Sequence, residues 1–156
     1  KNAFMFSCFC GLRISDIRQL RWSQIETYTE DGEEKYRLTI RMTKTKKNIT
    51  YQLSKEAIKW LPEKGDDDVI FKGLVQHSCL CYTIKDWVEA AGIKKKITFH
   101  CARHTFATMM LTLGADIYTT SKLLGHTDIA TTEIYAKIID KKKDEAVGLI
   151  DKFFDK

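Results

Sequence analysis

The chain has 156 residues, of which 44% are hydrophobic and 30% are charged. This composition is ordinary for a globular domain with its own core, and no apolar run approaches the roughly 20 residues that a membrane helix needs. The formal net charge is +5, from 26 lysines and arginines against 21 acidic residues, which alone is weak support for a nucleic-acid partner.

The cysteines and the basic residues are unevenly distributed. Five cysteines make an odd set, with Cys-x-Cys pairs among apolar residues, which favours reduced thiols in a cytoplasmic protein over a secreted disulfide framework. Basic residues cluster within 41–47 and at 94–96, shortly before His100 and Arg103. Such clusters fit contacts to a phosphate backbone, although each is also what a solvated surface carries.

The first third of the chain predicts two short helices and a small sheet. Apolar residues 3–9 predict a helix that Gly11 ends, and Ser15 can cap a second, short helix. The pair Asp31-Gly32 is a hairpin turn signal. Three segments rich in β-branched and aromatic residues predict an antiparallel sheet, namely residues 22–28, 35–42 and 48–53.

From Ser54 onward the pattern is helical. Ser54 opens a short helix that Pro62 ends, and Asp116 and Asp128 can cap later helices, the last of which leads to Tyr135. Further helices are predicted at residues 78–91, 99–113 and 140–155, of which the last carries an apolar stripe. Together these elements predict one α+β domain over residues 1–156, mostly α, with a small three-stranded antiparallel sheet.

Four short motifs carry side chains that could do chemistry. His100 and Arg103 share one helix face because they are three residues apart. Arg13 lies between a helix end and a helix cap, His126 follows a helix-ending glycine, and Tyr135 lies near a helix end. Taken singly, each has an ordinary structural interpretation, as a surface arginine, a structural histidine or a partly buried ring.

The order and spacing of these motifs are far more specific. Arg103 follows His100 by 3 residues. His126 follows Arg103 by 23 residues and precedes Tyr135 by 9. With Arg13 far upstream and a lysine-tipped hairpin between, the chain resembles the catalytic domain of the tyrosine recombinases, also called phage integrases. The resemblance covers nearly the whole chain, in the stretches GLRISDIRQL, TKTKK, HCARHTFATMMLTLGA and LLGHTDIATTEIYA.

The resemblance implies a site-specific DNA recombinase or integrase that breaks and rejoins strands through a 3′-phosphotyrosyl intermediate, without metal, ATP or cofactor. Arg13 and Arg103 match the pair that holds the scissile phosphate, a task that suits planar bidentate donors. Tyr135 matches the nucleophile. His100 matches the proton acceptor, and His126 matches a hydrogen-bond donor to the phosphate.

Further roles follow from the same resemblance. Lys44 matches the hairpin lysine, the general acid for the 5′-oxygen leaving group, with Lys46 as second choice because the family places this loop variably. Asp16 matches an acidic residue that orients the first arginine. His104 also recurs in the family and is interpreted as structural.

The resemblance also implies partners. These are double-stranded DNA, a homo-oligomer (a tetramer) on that DNA and accessory DNA-bending proteins, with no membrane, in the setting of a mobile element. Family members usually carry an upstream core-binding domain, so we expect this chain to be a fragment. The segment 140–156 is expected either to fold back or to dock on a neighbouring protomer. One departure is Gln52, which stands where the family often has proline.

Two alternatives stay open beside this interpretation. A type IB topoisomerase uses a similar set of side chains, and a DNA-binding module without catalysis would share the fold. His100 and His104 have the spacing of a zinc-binding pair, but no glutamate follows the first histidine as in HExxH, so we expect no metal site.

Overall fold

The part of the chain that the structure describes contains helices and one small sheet. This computed structural model describes residues 1–65, 68–75, 77–140 and 147. Within them the predicted α+β class with a three-stranded antiparallel sheet is confirmed. The chain divides into two compact units, the first Lys1–Phe106 and the second from Ala107 onward.

The first helix, α1 (Asn2–Cys10), ends at Gly11 as the sequence predicts. Gly11 has a φ of 73°, a left-handed conformation that glycine adopts without strain, and its N–H donates to the Ser7 carbonyl at 2.9 Å. A Cβ at Gly11 would also lie 2.5 Å from Cδ1 of Phe106. Both constraints require glycine at the point where the chain turns toward Arg13.

The second helix, α2 (Ile14–Ile17), is shorter than predicted, and the prediction that Ser15 caps it is wrong. Arg13 is the N-cap residue, because the helix begins one residue before Ser15. The Asp16 carboxylate accepts a hydrogen bond from the Arg13 backbone N–H at 3.3 Å. An acidic side chain in the first turn thus satisfies one of the backbone N–H groups that the helix start leaves open.

Three antiparallel strands form the sheet, β1 (Ile25–Glu30), β2 (Glu33–Arg41) and β3 (Asn48–Leu53), in the order β1-β2-β3. Leu38 and Ile40 of β2 are buried while their neighbours along the strand are exposed, so one face of the sheet joins the core. The predicted first strand begins three residues late, because residues 22–24 form a 3₁₀ turn instead.

The turns between the strands follow the predictions. Asp31 and Gly32 form the first turn, with φ values of 54° and 76°. In the second turn the Met42 N–H donates to the Lys47 carbonyl at 2.8 Å, and the Lys46 N–H donates to the Met42 carbonyl at 2.9 Å. These bonds close a tight loop that presents Lys44 near its tip.

Three helices follow the sheet, α3 (Lys55–Ile58), α4 (His77–Ala90) and α5 (His100–Thr112). The predicted cap of α3 is confirmed, since Ser54 Oγ accepts from the Ala57 N–H at 3.1 Å. The helix ends at Ile58, before Pro62 is reached, so Pro62 does not end it.

One buried apolar cluster joins α1, the sheet and the later helices of the first unit. Its members include Phe6, Leu38, Leu80 and Phe99, one from each part of the unit. Each such side chain stabilises the fold by about 1.5–3 kcal/mol relative to exposure. The cluster therefore fixes the loops that emerge around it, including the Arg13 turn.

The second unit contains α6 (Ile117–Leu123) and helical residues at 130–140. Asp116 Oδ1 accepts from the Thr119 N–H at 2.8 Å, which confirms the predicted cap. Asp128 lies before the next helix as predicted, but helical residues continue beyond Tyr135, so this tyrosine is inside the helix. The members of the predicted apolar stripe fall outside the described residues, namely Ala146, Leu149, Ile150, Phe153 and Phe154.

A search of the described residues finds no helix that is long and apolar enough to cross a membrane.

Candidate active site

A cavity of about 400 Å³ in the first unit brings together four of the residues that the sequence singled out. Arg13, Lys44, His100 and Arg103 line it, although they come from three different parts of the chain. The other lining residues are mostly apolar, namely Leu12, Ile14, Ser15, Leu80, Cys81, Ile84, Thr98 and Phe99. Two guanidinium groups, an ammonium group and an imidazole over an apolar floor form a site for an anion.

Arg103 is the most deeply buried charged group of this cavity. It projects from α5 with 1% of its surface exposed, and its Nη1 donates to the Gly11 carbonyl at 2.7 Å. A buried arginine is costly unless its donors are satisfied, and this bond meets part of that need. The same bond ties α5 to the turn that carries Arg13.

Asp16 ties the Arg13 turn to the lysine hairpin. Its carboxylate is 1% exposed, and besides the Arg13 N–H it accepts from the Thr43 N–H at 2.7 Å. Hydrogen bonds to a charged acceptor are the stronger kind, about 1.5–3 kcal/mol each. Asp16 therefore holds the first arginine through its backbone, and it holds the residue next to Lys44 in the same way.

The hairpin offers two candidate lysines, and the cavity favours one. Lys44 is among the described residues that line the cavity, and Lys46 is not. Lys46 occupies the left-handed position of the turn, with a φ of 58°. Of the two lysines, Lys44 is therefore the one placed beside Arg13, His100 and Arg103.

His100 lies at the start of α5, where its ring packs edge-on against His104 with 4.5 Å between ring centroids. Burial lowers the pKa of His100, and the nearby charges of His104, Arg103, Arg13 and Lys44 lower it further. A proton on this imidazole would be repelled by its neighbours. The lowered pKa therefore favours the neutral ring, the form that can accept a proton.

His126 and Tyr135 belong to the second unit. Gly125, with a φ of 62°, ends α6, and the His126 N–H donates to the Ser121 carbonyl at 3.1 Å, which fixes the backbone just past the helix. The His126 side chain is 7% exposed and that of Tyr135 is 3% exposed. The sequence predicted both residues, and their burial shows that neither is an ordinary surface side chain.

Thr132 was not identified from the sequence. Its hydroxyl lies 2.7 Å from His126 Nδ1, and Thr132 has no exposed surface. The sequence offered one sign of its role, the position of Thr132 between His126 and Tyr135. Threonine is common at helix starts, so this position alone does not identify a site residue. Cys81 and Thr98, which line the cavity, were also not singled out.

In the part of the chain that the structure describes, no three His, Cys, Asp or Glu side chains lie close enough together to hold a metal ion.

Comparison with known proteins gives the same family from sequence and from fold. The model of the phage integrase family matches residues 1–142. A tyrosine recombinase of Pseudothermotoga lettingae is 30% identical over 148 residues, which are 90% of this chain and 50% of that protein. The catalytic domain of bacteriophage HP1 integrase has a TM-score of 0.63 at 28% identity, covering 87% of this chain and 73% of that one.

A second solved structure is similar in fold alone. The XerH site-specific recombinase, bound to its palindromic difH substrate, has a TM-score of 0.71 at 20% identity, covering 96% of this chain and 45% of that one.

The helical fold, its small sheet and the cationic cavity define a catalytic domain of the tyrosine recombinase type. The chain belongs to the phage integrase family. It spans about half the length of the Pseudothermotoga relative, 50% of that protein.

Proposed function

We propose that this domain cuts and rejoins double-stranded DNA at specific sites, as a tyrosine recombinase or integrase of a mobile element. The observation that carries the proposal is the cavity in which Arg13, Lys44, His100 and Arg103 meet. A phosphodiester under attack becomes a five-coordinate dianion, and two guanidinium groups match its non-bridging oxygens. Family membership supplies the remaining support.

In the proposed reaction, the Tyr135 hydroxyl oxygen attacks phosphorus and the bond from phosphorus to the 5′-oxygen breaks. A phosphotyrosyl bond to the 3′ end replaces it, and the other strand end leaves as a 5′-hydroxyl. The bond energy is conserved, because one phosphodiester replaces another. Attack by that 5′-hydroxyl, or by one from a second DNA, reverses the step without ATP or metal.

The proton transfers are proposed from the family resemblance. Neutral His100 takes the proton of Tyr135, because a tyrosine hydroxyl is a poor nucleophile while it is protonated. Lys44 gives a proton to the leaving 5′-oxygen. His126 donates a hydrogen bond to a phosphate oxygen. Asp16 acts indirectly, because it holds the backbone at Arg13 and Thr43.

The partners follow from the same proposal. DNA is the substrate, and a homotetramer on two DNA sites, with DNA-bending accessory proteins, is the proposed assembly in the cytoplasm. The segment 140–156 either packs on its own domain or docks on a neighbouring protomer. If it docks, we propose that truncation after about Lys143 leaves DNA cleavage intact and impairs assembly.

A trapping experiment tests the proposed activity. This chain and its Tyr135→Phe variant are incubated with nicked suicide substrates from the encoding element, in EDTA and without ATP. We expect a covalent protein–DNA band on a denaturing gel that the variant lacks. Tyr118→Phe is the matched control, because Tyr118 is a 60% exposed tyrosine of the same unit and should leave the band unchanged.

Other outcomes separate the alternatives. A covalent band that appears only with a longer form carrying the upstream domain would mean that this domain requires the upstream domain to bind DNA. Relaxation of any supercoiled plasmid without a site would favour a topoisomerase. Binding without a covalent band from either form would contradict the proposal and favour a non-catalytic module.

A further inference from the structure

We infer that Thr132 is a positioning residue that fixes the tautomer and the orientation of His126. The inference rests on the proposed function, because it concerns the hydrogen bond that His126 gives to the phosphate. Its starting point is the 2.7 Å separation between Thr132 Oγ1 and His126 Nδ1. Thr132 has 0% exposure and His126 7%, so water competes little for this bond.

The backbone fixes both ends of this bond. The turn at Gly125 holds His126 through its N–H bond to the Ser121 carbonyl at 3.1 Å. Thr132 lies in the first turn of the helical residues 130–140, and its branched side chain has few rotamers there. The ring is therefore held by two anchored segments, and its direction does not depend on the DNA.

The direction of the hydrogen bond between Thr132 Oγ1 and His126 Nδ1 is linked to which ring nitrogen carries the proton. A neutral imidazole has one N–H, and a hydroxyl can either donate or accept. When the Thr132 O–H donates to Nδ1, the ring proton is on Nε2, which can then donate to a phosphate oxygen. The opposite tautomer would turn a lone pair of Nε2 toward that oxygen, which would repel it. Donation by Thr132 is therefore the arrangement consistent with the proposed role of His126.

Thr132 also lies close in the helix to Tyr135, the proposed nucleophile. Thr132 and Tyr135 are three residues apart in the same helix, so their side chains lie on one face. A change that lets the His126 ring rotate should therefore affect the chemical step. It should have little effect on the affinity for DNA, because phosphate contacts over the whole duplex dominate affinity.

Three variants of this chain test the inference. Thr132→Val keeps the shape but removes the hydroxyl, Thr132→Ser keeps the hydroxyl, and Thr131→Val changes the exposed neighbour as a matched control. Nitrogen NMR of the histidine ring reports the tautomer, and single-turnover trapping on the suicide substrate reports the rate of cleavage. Thermal unfolding shows whether each variant is folded, and Thr132→Ala replaces Thr132→Val if the latter is not.

We expect the Nε2–H tautomer in the unchanged protein, in Thr132→Ser and in Thr131→Val, and a mixture of tautomers in Thr132→Val. Cleavage by Thr132→Val should be slower by roughly 10–100-fold at unchanged DNA affinity, by analogy with the loss of a residue that orients a metal-bound histidine. Thr132→Ser should restore most of this loss.

A folded Thr132→Val protein with an unchanged tautomer would overturn the inference, and so would an Nδ1–H tautomer in the unchanged protein. The NMR measurement needs no cleavage. If neither this chain nor a longer form with the upstream domain forms a covalent band, the proposed function fails, but the tautomer of His126 still decides whether Thr132 sets it.

Discussion

Among single residues, His100 shows most clearly how surroundings select a chemical role. Its ring shares a cavity with Arg13, Lys44 and Arg103, and it packs edge-on against His104. Burial and these charges lower the pKa of His100. The lowered pKa favours the neutral imidazole, which is the form that accepts a proton in the proposed reaction.

The pH dependence of cleavage tests this account of His100. Because its pKa is lowered from the ordinary value of 6.5, the neutral form should persist below that pH. Cleavage should decline only as the pH falls through the lowered pKa. Replacing His104 by Gln removes a neighbour that lowers this pKa, so the acid limb should move to higher pH.

The measurement is the single-turnover rate of covalent trapping between about pH 5 and pH 8, the range in which histidine titrates. His100→Gln is the control, since its residual rate should lack this acid limb. An acid limb at or above 6.5 in the unchanged protein, or a shift to lower pH in His104→Gln, would contradict the account.

At the scale of elements, the cavity depends on loops that are tied to each other. Arg103 of α5 bonds the Gly11 carbonyl, and Asp16 bonds the backbone of both Arg13 and Thr43. The end of α1, the start of α2, the hairpin and α5 are thereby held around one point. A substitution that removes one of these hydrogen bonds should also shift the other elements, because the four elements share these few bonds.

Gly11→Ala tests the close approach at the end of α1. The new Cβ would lie 2.5 Å from Phe106 Cδ1, and alanine would have to adopt a φ of 73°. The left-handed conformation costs about 1–2 kcal/mol and overpacking about 1–3 kcal/mol more, so the loss of unfolding free energy should be roughly 2–5 kcal/mol.

Gly92→Ala is the matched control for this prediction. Gly92 has a φ of 72°, but a Cβ there would meet nothing within 4 Å. The Gly92→Ala variant should therefore lose only the unfolding free energy that the left-handed conformation costs, about 1–2 kcal/mol. Denaturant unfolding of the two variants gives the comparison, and equal losses would show that the contact with Phe106 is not tight.

Much of this architecture could be predicted from the sequence because its signals are local. Gly11, Ser54 and Asp116 mark helix ends or starts through their own backbone or side chain, and the structure places them as predicted. The prediction for Ser15 was wrong because the helix begins at Ile14, which places the capping position at Arg13, two residues earlier. A shift of two residues is not visible in composition or periodicity.

The hydrogen bonds that hold the site together could not be predicted, because they join distant parts of the chain. Nothing local to Asp16 indicates that Thr43 would donate to it, and nothing local to Arg103 indicates the Gly11 carbonyl. The candidate residues themselves were found through the family resemblance and its spacing. Their roles remain proposals, while the meeting of Arg13, Lys44, His100 and Arg103 in one cavity is observed.

For the whole molecule, the proposed function needs both compact units. The first carries the anion-binding cavity, and the second carries His126 and the proposed nucleophile Tyr135. Two arginines and a lysine can bind a phosphate without breaking it, so the cavity alone is also compatible with a DNA-binding module. A covalent bond to Tyr135 is therefore the claim on which the enzyme assignment depends.

The most direct measurement is the position of the trapped DNA on the protein. The covalent product from a suicide substrate is digested with nuclease and trypsin, and the peptides are analysed by mass spectrometry. The account predicts a nucleotide phosphate on the peptide of residues 123–137, whose only tyrosine is Tyr135. A phosphonucleotide on the peptide of residues 104–122, which contains Tyr118, or on any other residue would contradict it.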